Sequence, residues 1–152
     1  RPGQDLPSLP PDVLVLEDKV AYQGPLGGLS AAFAAHPNAR FGVFGCDLPL
    51  LAAPLVAFLR DLPGDFDAVV PVFGSRDQPL HAIWGAAAAP AIDTALLGGR
   101  RSVTALLDSL RVRRVAEAEW RPLDPEGRSF LNANRPEDLR LAEALANGNP
   151  TA

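Results

Sequence analysis

Short runs of apolar residues, interrupted by glycine, proline and acidic residues, dominate the pattern along the chain. Apolar runs of about four to eight residues are typical of strands that are buried on both faces. We therefore predict buried strands at residues 13–16, 41–46, 68–72 and 80–84. Charged and apolar residues alternate at 111–115, which predicts a half-exposed edge strand, and a further short strand is predicted at 128–131.

Helical spacing of apolar residues fills most of the intervals between these runs. It predicts helices at residues 29–35, 54–60, 86–97, 103–110 and 136–146. Pro136 suits the first turn of the last helix, and Asn147-Gly148 is a stop signal for its end. Strands that alternate with helices predict an α/β fold whose mostly parallel sheet is covered by helices on both faces, in one domain over residues 1–152.

Composition narrows the function classes. Apolar residues make up 47% of the 152 residues, charged residues 21%, and the net charge is −4. The acidic balance argues against nucleic-acid binding, and no apolar run has the ~20 residues that a membrane span needs. The single cysteine, Cys46, can form no intramolecular disulfide and suits a reducing compartment, so we expect a cytoplasmic protein.

Two predicted strands each end at a carboxylate. Asp18 follows the run at 13–16, and Asp47 follows the run at 41–46. Ligands of open α/β sheets bind beyond the carboxyl ends of strands, and Mg²⁺ prefers oxygen ligands there. One such aspartate ordinarily begins a turn or caps a helix. For two such aspartates together, both interpretations stay open: this structural role and a shared magnesium site.

Other polar positions are individually weak signals. The loop predicted at residues 24–28 (Gly-Pro-Leu-Gly-Gly) leads into a helix and could bring backbone N–H groups to an anion. Arg100 and Arg101 could bind phosphate, and Asn132 and Asn134 could bind a heterocycle or a hydroxyl. Each also has an ordinary structural role, and we interpret His81 as a hydrogen-bonded structural residue.

The ordered set of motifs is more specific than any single one. It consists of residues 15–18 (Val-Leu-Glu-Asp), 24–29 (Gly-Pro-Leu-Gly-Gly-Leu), 46–49 (Cys-Asp-Leu-Pro), 78–82 (Gln-Pro-Leu-His-Ala), 99–101 (Gly-Arg-Arg) and 130–139 (Phe-Leu-Asn-Ala-Asn-Arg-Pro-Glu-Asp-Leu). In this order and spacing the chain resembles the molybdenum cofactor guanylyltransferase family over nearly its whole length.

The resemblance implies a Rossmann-like, three-layer nucleotidyltransferase fold and transfer of GMP from Mg·GTP to molybdopterin with release of pyrophosphate. It makes Asp47 the catalytic Mg²⁺ ligand near the α-phosphate. It also implies the binding residues for the two substrates: Asp18, Gly24, Gly28 and Asp47 for the nucleotide, and Arg100, Arg101, Asn132 and Asn134 for molybdopterin. Further candidate partners are molybdoenzymes or their chaperones.

The sequence departs from the family pattern at two places. Nothing matches the family's opening strand and glycine-rich loop, so we expect residues upstream of Arg1 in the intact protein, or a truncated inactive relative. At Arg135 the family usually has threonine, which can cap the last helix; an arginine cannot cap it in that way, at a typical cost of ~1 kcal/mol.

Three alternatives stay open at this point. The first is a sister enzyme that transfers a cytidylyl group, because the base-reading loop is absent from the sequence. The second is a non-catalytic relative that binds the cofactor or a molybdoenzyme. The third is a degraded reading frame whose product does not fold alone.

Overall fold

A mixed sheet forms the centre of the computed structural model, which describes residues 8–17 and 24–148. The strands are β1 (Phe41–Phe44), β2 (Ala68–Phe73), β3 (Arg76–Asp77), β4 (His81–Trp84) and β5 (Val112–Val115). The α-helices are α1 (Pro25–Ala35), α2 (Ala53–Asp61), α3 (Ala89–Leu97), α4 (Val103–Leu106), α5 (Glu117–Trp120) and α6 (Pro136–Ala146). Short 3-10 turns lie at Ala86–Ala88, Leu107–Ser109 and Arg128–Phe130.

Three of the four longer strands point the same way. The order is β1-β4-β2, with β5 on the other side of β2 and β3 paired with the end of β2. β5 is parallel to β2, whereas β4 is antiparallel to both of its neighbours. The predicted α/β fold is therefore confirmed, and the sheet is mostly but not wholly parallel.

A tight hairpin explains the reversed strand. Gly74 and Ser75 both have positive φ values, 55° and 62°, and connect β2 to β3 as a two-residue turn. Parallel strands need a crossover of about a dozen residues or more, and only residues 74–80 separate β2 from β4. The chain therefore returns antiparallel.

Alternating side chains of the sheet enter two separate cores. Ala68 and Val70 of β2 join α1, α3 and α4 on one face, whereas Val69 joins α2 and the Trp120 region on the other. Both tryptophans are fully buried, and each indole N–H donates to a carbonyl: Trp84 to Pro79 at 2.9 Å, and Trp120 to Val72 at 3.0 Å. Helices thus cover both faces, as predicted.

An ion pair connects β2 and β5 at the edge of the sheet opposite the carboxyl end of β1. The carboxylate of Asp67 accepts hydrogen bonds from the Arg111 N–H at 2.8 Å and from its guanidinium at 2.9 Å. Burial pushes the pKa of Asp67 upward, but these hydrogen bonds outweigh burial and leave that pKa below its usual value. This pairing holds the start of both strands in register.

Three predictions of local structure were wrong. Residues 13–16 form no strand, and their side chains are between 41% and 66% exposed, because no described strand lies beside them to pair with. Residues 128–131 contain a 3-10 turn in place of a strand, since Gly127 at φ 66° starts a turn there. The segment predicted as a loop at 24–28 is mostly the first turn of α1, with Pro25 in the first helical turn.

Candidate active site

Three loops meet where β1 ends and β4 begins. They are residues 45–48, residues 78–81 and residues 132–134. The Gly45 N–H donates to the Leu80 carbonyl at 2.8 Å, and the Ala133 N–H donates to the Asp47 carbonyl at 2.8 Å. These two backbone bonds hold the Asp47 loop between the other two loops, so residues far apart in sequence share one site.

Asp47 is the carboxylate at the centre of this junction. It is half-buried, and within residues 8–17 and 24–148 no hydrogen bond or ion pair uses its side-chain oxygens. A side chain added at Gly45 would collide with Oδ1 of Asp47, so the glycine makes room for the carboxylate. A carboxylate that no other described residue uses can bind a cation or a donor from a ligand.

Two clefts share Asp47 as part of their wall. The first has a volume of about 670 Å³ and lies between α1 and β1. Its lining is mainly apolar and includes Leu29, Phe41, Val43 and Leu80, with Asn134 at its rim. The carboxylate of Asp47 lies at one end of this cleft.

The second cleft is smaller, about 260 Å³, and more polar. Besides Asp47 it is lined by Gln78, Thr104 and Asn132, which offer amide and hydroxyl groups, and by the inner residue His81. The common wall at Asp47 means that molecules bound in the two clefts would meet at this carboxylate. That arrangement is what a transfer between two substrates requires.

Gly24 and Gly28, the two glycines predicted to bind the nucleotide, differ in their local environment. Gly24 has φ 61° and ψ −156°, a conformation that is essentially restricted to glycine, and it precedes the helix. Gly28 lies inside α1, is exposed, and lines the first cleft; no atom lies within 4 Å of the position that a Cβ would take there. Gly28 therefore leaves open space on the cleft side of the helix.

His81 is buried below the loop junction, with 1% of its surface exposed. Neither ring nitrogen has a hydrogen-bond partner among the described residues. Burial lowers the pKa of His81 to about 4, and the Ser129 backbone and the Asp124 carboxylate oppose that shift without reversing it. We predicted a hydrogen-bonded structural histidine at position 81. The structure instead shows a buried, neutral ring whose nitrogens form no hydrogen bond with the described residues.

Asp124, a buried aspartate that was not predicted from the sequence, holds the turn that precedes Asn132. Asp124 accepts hydrogen bonds from the N–H groups of Arg128 at 3.0 Å and Ser129 at 2.9 Å. The Ser129 hydroxyl in turn accepts from the Ala52 N–H at 2.8 Å. The sequence Asp-Pro-Glu-Gly at 124–127 is a turn signal that could have shown this role.

Comparisons with known proteins agree with this architecture. Residues 3–115 match the family described as "MobA-like NTP transferase domain". The chain is 31% identical, over 137 residues, to the "Probable molybdenum cofactor guanylyltransferase" of Pelotomaculum thermopropionicum, an alignment that covers 90% of this chain and 67% of that protein. The chain belongs to the MobA-like NTP transferase family.

Two further relatives support the membership of this nucleotidyltransferase family. The chain is 32% identical over 133 residues to a protein with the same name from Methanothermobacter thermautotrophicus, covering 85% of this chain and 66% of the relative. The crystal structure of molybdopterin-guanine dinucleotide biosynthesis protein A from Archaeoglobus fulgidus superposes with a TM-score of 0.70 and 27% identity, covering 82% of this chain and 64% of that one. The chain thus spans about two thirds of the length of these relatives.

The structure brings together only part of the site predicted for a member of this family. Asp47, Gly28 and Asn134 line the first cleft, and Asp47 and Asn132 line the second. Asp18 lies outside the described residues, so its pairing with Asp47 stays a prediction. Within the described ranges no group of three or more histidine, cysteine, aspartate or glutamate side chains could hold a metal ion.

The arginine pair lies apart from the two clefts. Arg100 and Arg101 are exposed in the turn between α3 and α4, and neither lines a cleft that contains Asp47. Arg100 lines another cleft, with Pro90, Thr94 and Ser109. The predicted contact of both arginines with molybdopterin stays a prediction that no contact in the structure tests.

The last helix compensates for the arginine at its start. The Arg135 side chain forms no cap, as expected. The Asp138 carboxylate instead accepts from the N–H groups of Asn134 at 3.1 Å and Arg135 at 3.0 Å. This holds the Asn134 backbone beside the first cleft.

No helix among the described residues has the length and apolar character that crossing a bilayer requires.

Proposed function

We propose that the protein transfers GMP from GTP to molybdopterin and releases pyrophosphate, as a molybdenum cofactor guanylyltransferase of the cytoplasm. The observation that carries this proposal is the Asp47 carboxylate, which stands in the common wall of two clefts and has no partner within residues 8–17 and 24–148. The names of relatives with about a third of their residues identical supply the substrates.

The nucleotide is assigned to the larger cleft. The Asp47 carboxylate forms one end of this cleft, and the open space at Gly28 lets a ligand approach the helix backbone. Gly24 sets the direction of the chain before α1. In the intact site Asp18 is proposed to complete the nucleotide contacts.

Asp47 is proposed to hold Mg²⁺ together with phosphate oxygens of the substrate. The fit is adequate because Mg²⁺ commonly uses one or two carboxylates plus substrate phosphates and water, and the Asp47 oxygens have no other partner in the described part of the chain. When bound, the ion would neutralise charge on the phosphate oxygens.

Molybdopterin is assigned to the smaller, polar cleft. Asn132 and Gln78 can bind the polar edges of a pterin, and Arg100 and Arg101, which lie outside this cleft in the α3–α4 turn, are proposed to contact molybdopterin from there. A phosphate oxygen of molybdopterin forms a bond to the α-phosphorus of GTP while the bond to the pyrophosphate oxygen breaks. The protein contributes alignment and charge, and no side chain serves as a nucleophile.

The test is turnover of GTP with molybdopterin as acceptor, measured as pyrophosphate release and dinucleotide formation. We expect Asp47→Asn to lower kcat/KM by about 100-fold or more, the equivalent of about 3 kcal/mol, through loss of the charge that positions the phosphates. Asp108→Asn, a change at an exposed aspartate in the Leu107–Ser109 turn, is the matched control and should leave turnover unchanged.

Three results would contradict the proposal. The first is near wild-type turnover in Asp47→Asn. The second is preferential use of CTP, which would indicate the cytidylyl-transferring activity. The third is binding of molybdopterin without turnover of either nucleotide, which would indicate a non-catalytic relative.

A further inference from the structure

The ring of His81 lies between the segments that lead into two of the three loops. These are residues 45–48, the Asp47 loop, and residues 132–134, the Asn132 loop. It contacts the Phe44 ring edge-on at 5.2 Å between centroids, and the Phe130 ring at 4.7 Å. Phe44 is the last residue of β1 and lies three positions before Asp47. Phe130 ends the Arg128–Phe130 turn and lies two positions before Asn132. One buried side chain thus touches the residues that lead into both loops.

We infer that His81 is a positioning residue whose ring sets the spacing between the Asp47 loop and the Asn132 loop. The inference rests on the proposed function only in its last step, the consequence for turnover. It is independent of that function in its first step, because the spacing of the loops is a property of the protein alone.

Rigid surroundings allow the ring to act in this way. His81 is paired with Phe44 in the sheet, and the neighbouring Leu80 carbonyl accepts the Gly45 N–H, so the ring is fixed relative to the Asp47 loop. On its other side, Phe130 stacks on Phe73 at 4.9 Å and packs against Trp120 at 4.9 Å. Phe130 therefore has no free space to follow a smaller residue at position 81 without disturbing that cluster.

The shape of the ring, and not its hydrogen bonding, carries the effect. Both ring nitrogens are buried without a partner among the described residues. An aromatic ring of similar size without nitrogens should therefore keep the spacing, whereas a small side chain should not. This difference separates positioning by the shape of the ring from a hydrogen bond between a ring nitrogen and the substrate, since His81 also lines the smaller cleft.

Amide hydrogen exchange at Gly45 and Ala133 tests the first step without any substrate. Their N–H groups form the two bonds that join the loops. We expect His81→Ala to accelerate exchange at both amides by about tenfold or more beyond the change in global unfolding, because local opening becomes easier. His81→Phe should keep wild-type protection. If the alanine variant fails to fold, His81→Val replaces it, with the same expectation.

Ile83→Ala is the matched control. Ile83 lies on the same face of β4, is 3% exposed, and belongs to the core beside α2. Its truncation should destabilise the whole protein without selective exchange at Gly45 and Ala133. Equal selective exchange in the Ile83 variant, or unchanged protection in the His81→Ala and His81→Val variants, would overturn the inference.

Turnover then tests the last step. We expect His81→Ala to lower kcat for guanylyl transfer by about tenfold at a temperature where the protein is fully folded, since misplacement of reacting groups slows transfer. His81→Phe should restore kcat. Loss of turnover in His81→Phe with intact exchange protection would overturn the inference by showing that the nitrogens matter. Absence of turnover in the wild type would instead contradict the proposed function and leave the exchange result decisive for positioning.

Discussion

At the scale of single residues, the proposed activity depends on where the chain places the carboxylate of Asp47. The sequence identified this aspartate from its place after an apolar strand, and the structure confirms that it follows β1 beside two clefts. The sequence did not identify the residues that support it. Gly45 and the Ala133 N–H act through close contact and a long-range hydrogen bond, which no local pattern encodes.

Gly45→Ala should separate the position of the carboxylate from the stability of the fold. The added methyl group collides with Asp47 Oδ1, which can rotate away, and Gly45 does not have a positive φ. We expect the free energy of unfolding to change by less than about 1 kcal/mol. Turnover should fall by about tenfold or more, because the carboxylate moves from its place.

Gly98→Ala is the control for this change, since Gly98 also has a negative φ, −79°, and lies at the end of α3. Urea unfolding and steady-state kinetics measure the two effects. A Gly45→Ala enzyme with wild-type turnover would show that the exact place of the carboxylate is unimportant.

At the scale of elements, the spacing of apolar residues and the proline and glycine signals predicted most helices and the central strands. α6 has the bounds that its proline and glycine signals indicated, and Ser102 caps α4 by accepting the Ala105 N–H at 3.2 Å. The strand predicted at 13–16 failed because an apolar run becomes a strand only when a partner pairs with it. The glycines at 27–28 are typical helix breakers, but Pro25 and the alanine-rich remainder of α1 favour the helix.

Gly28→Ala should have opposite effects on stability and on nucleotide binding. An alanine inside α1 meets no atom within 4 Å, so we expect the free energy of unfolding to rise by up to about 1 kcal/mol. The methyl group projects where a nucleotide would approach the helix, so GTP affinity should fall by about tenfold. Thermal unfolding and calorimetric GTP titration measure these quantities.

Ser30→Ala in the same helix is the control for the Gly28 variant. The Ser30 hydroxyl donates to Asp93 at 2.8 Å, and Ser30 does not line the larger cleft. The affinity of Ser30→Ala for GTP should equal that of the wild type. Wild-type affinity in Gly28→Ala would remove Gly28 from the nucleotide site.

At the scale of the whole molecule, the sheet separates two cores, and the site lies where three loops join at one edge. The α/β class was predictable, because alternation of apolar strands and helices reflects burial on both faces. That alternation could not predict the direction of β4 or the meeting of the three loops, since strand order and direction depend on turn chemistry and distant contacts. The pair Gly74-Ser75 is the one local signal for the hairpin that reverses the chain before β4.

The buried histidine makes the stability of the whole fold depend on pH. The pKa of His81 is about 4 in the folded protein, below its usual value of 6.5. Between these values the unfolded chain binds a proton that the folded protein does not, so stability falls as the pH is lowered from 6.5 towards 4. The stabilisation is fully present above pH 6.5, and its loss amounts to roughly 3 kcal/mol.

Urea unfolding at several pH values, compared between the wild type and His81→Phe, measures this effect. Both proteins share the titration of their carboxylates, so the difference between them isolates the histidine. The phenylalanine variant should lose less stability on acidification. Parallel curves for the two proteins would show that His81 does not titrate in this window.

The most direct test of the central claim is the binding of Mn²⁺·GTP, in which the paramagnetic ion takes the place of Mg²⁺ and is followed by electron paramagnetic resonance. Asp47→Asn should weaken this binding by about tenfold or more, while Asp108→Asn should match the wild type. Equal affinities of the wild type and Asp47→Asn would contradict the claim that this carboxylate holds the metal and the nucleotide at the junction of the two clefts.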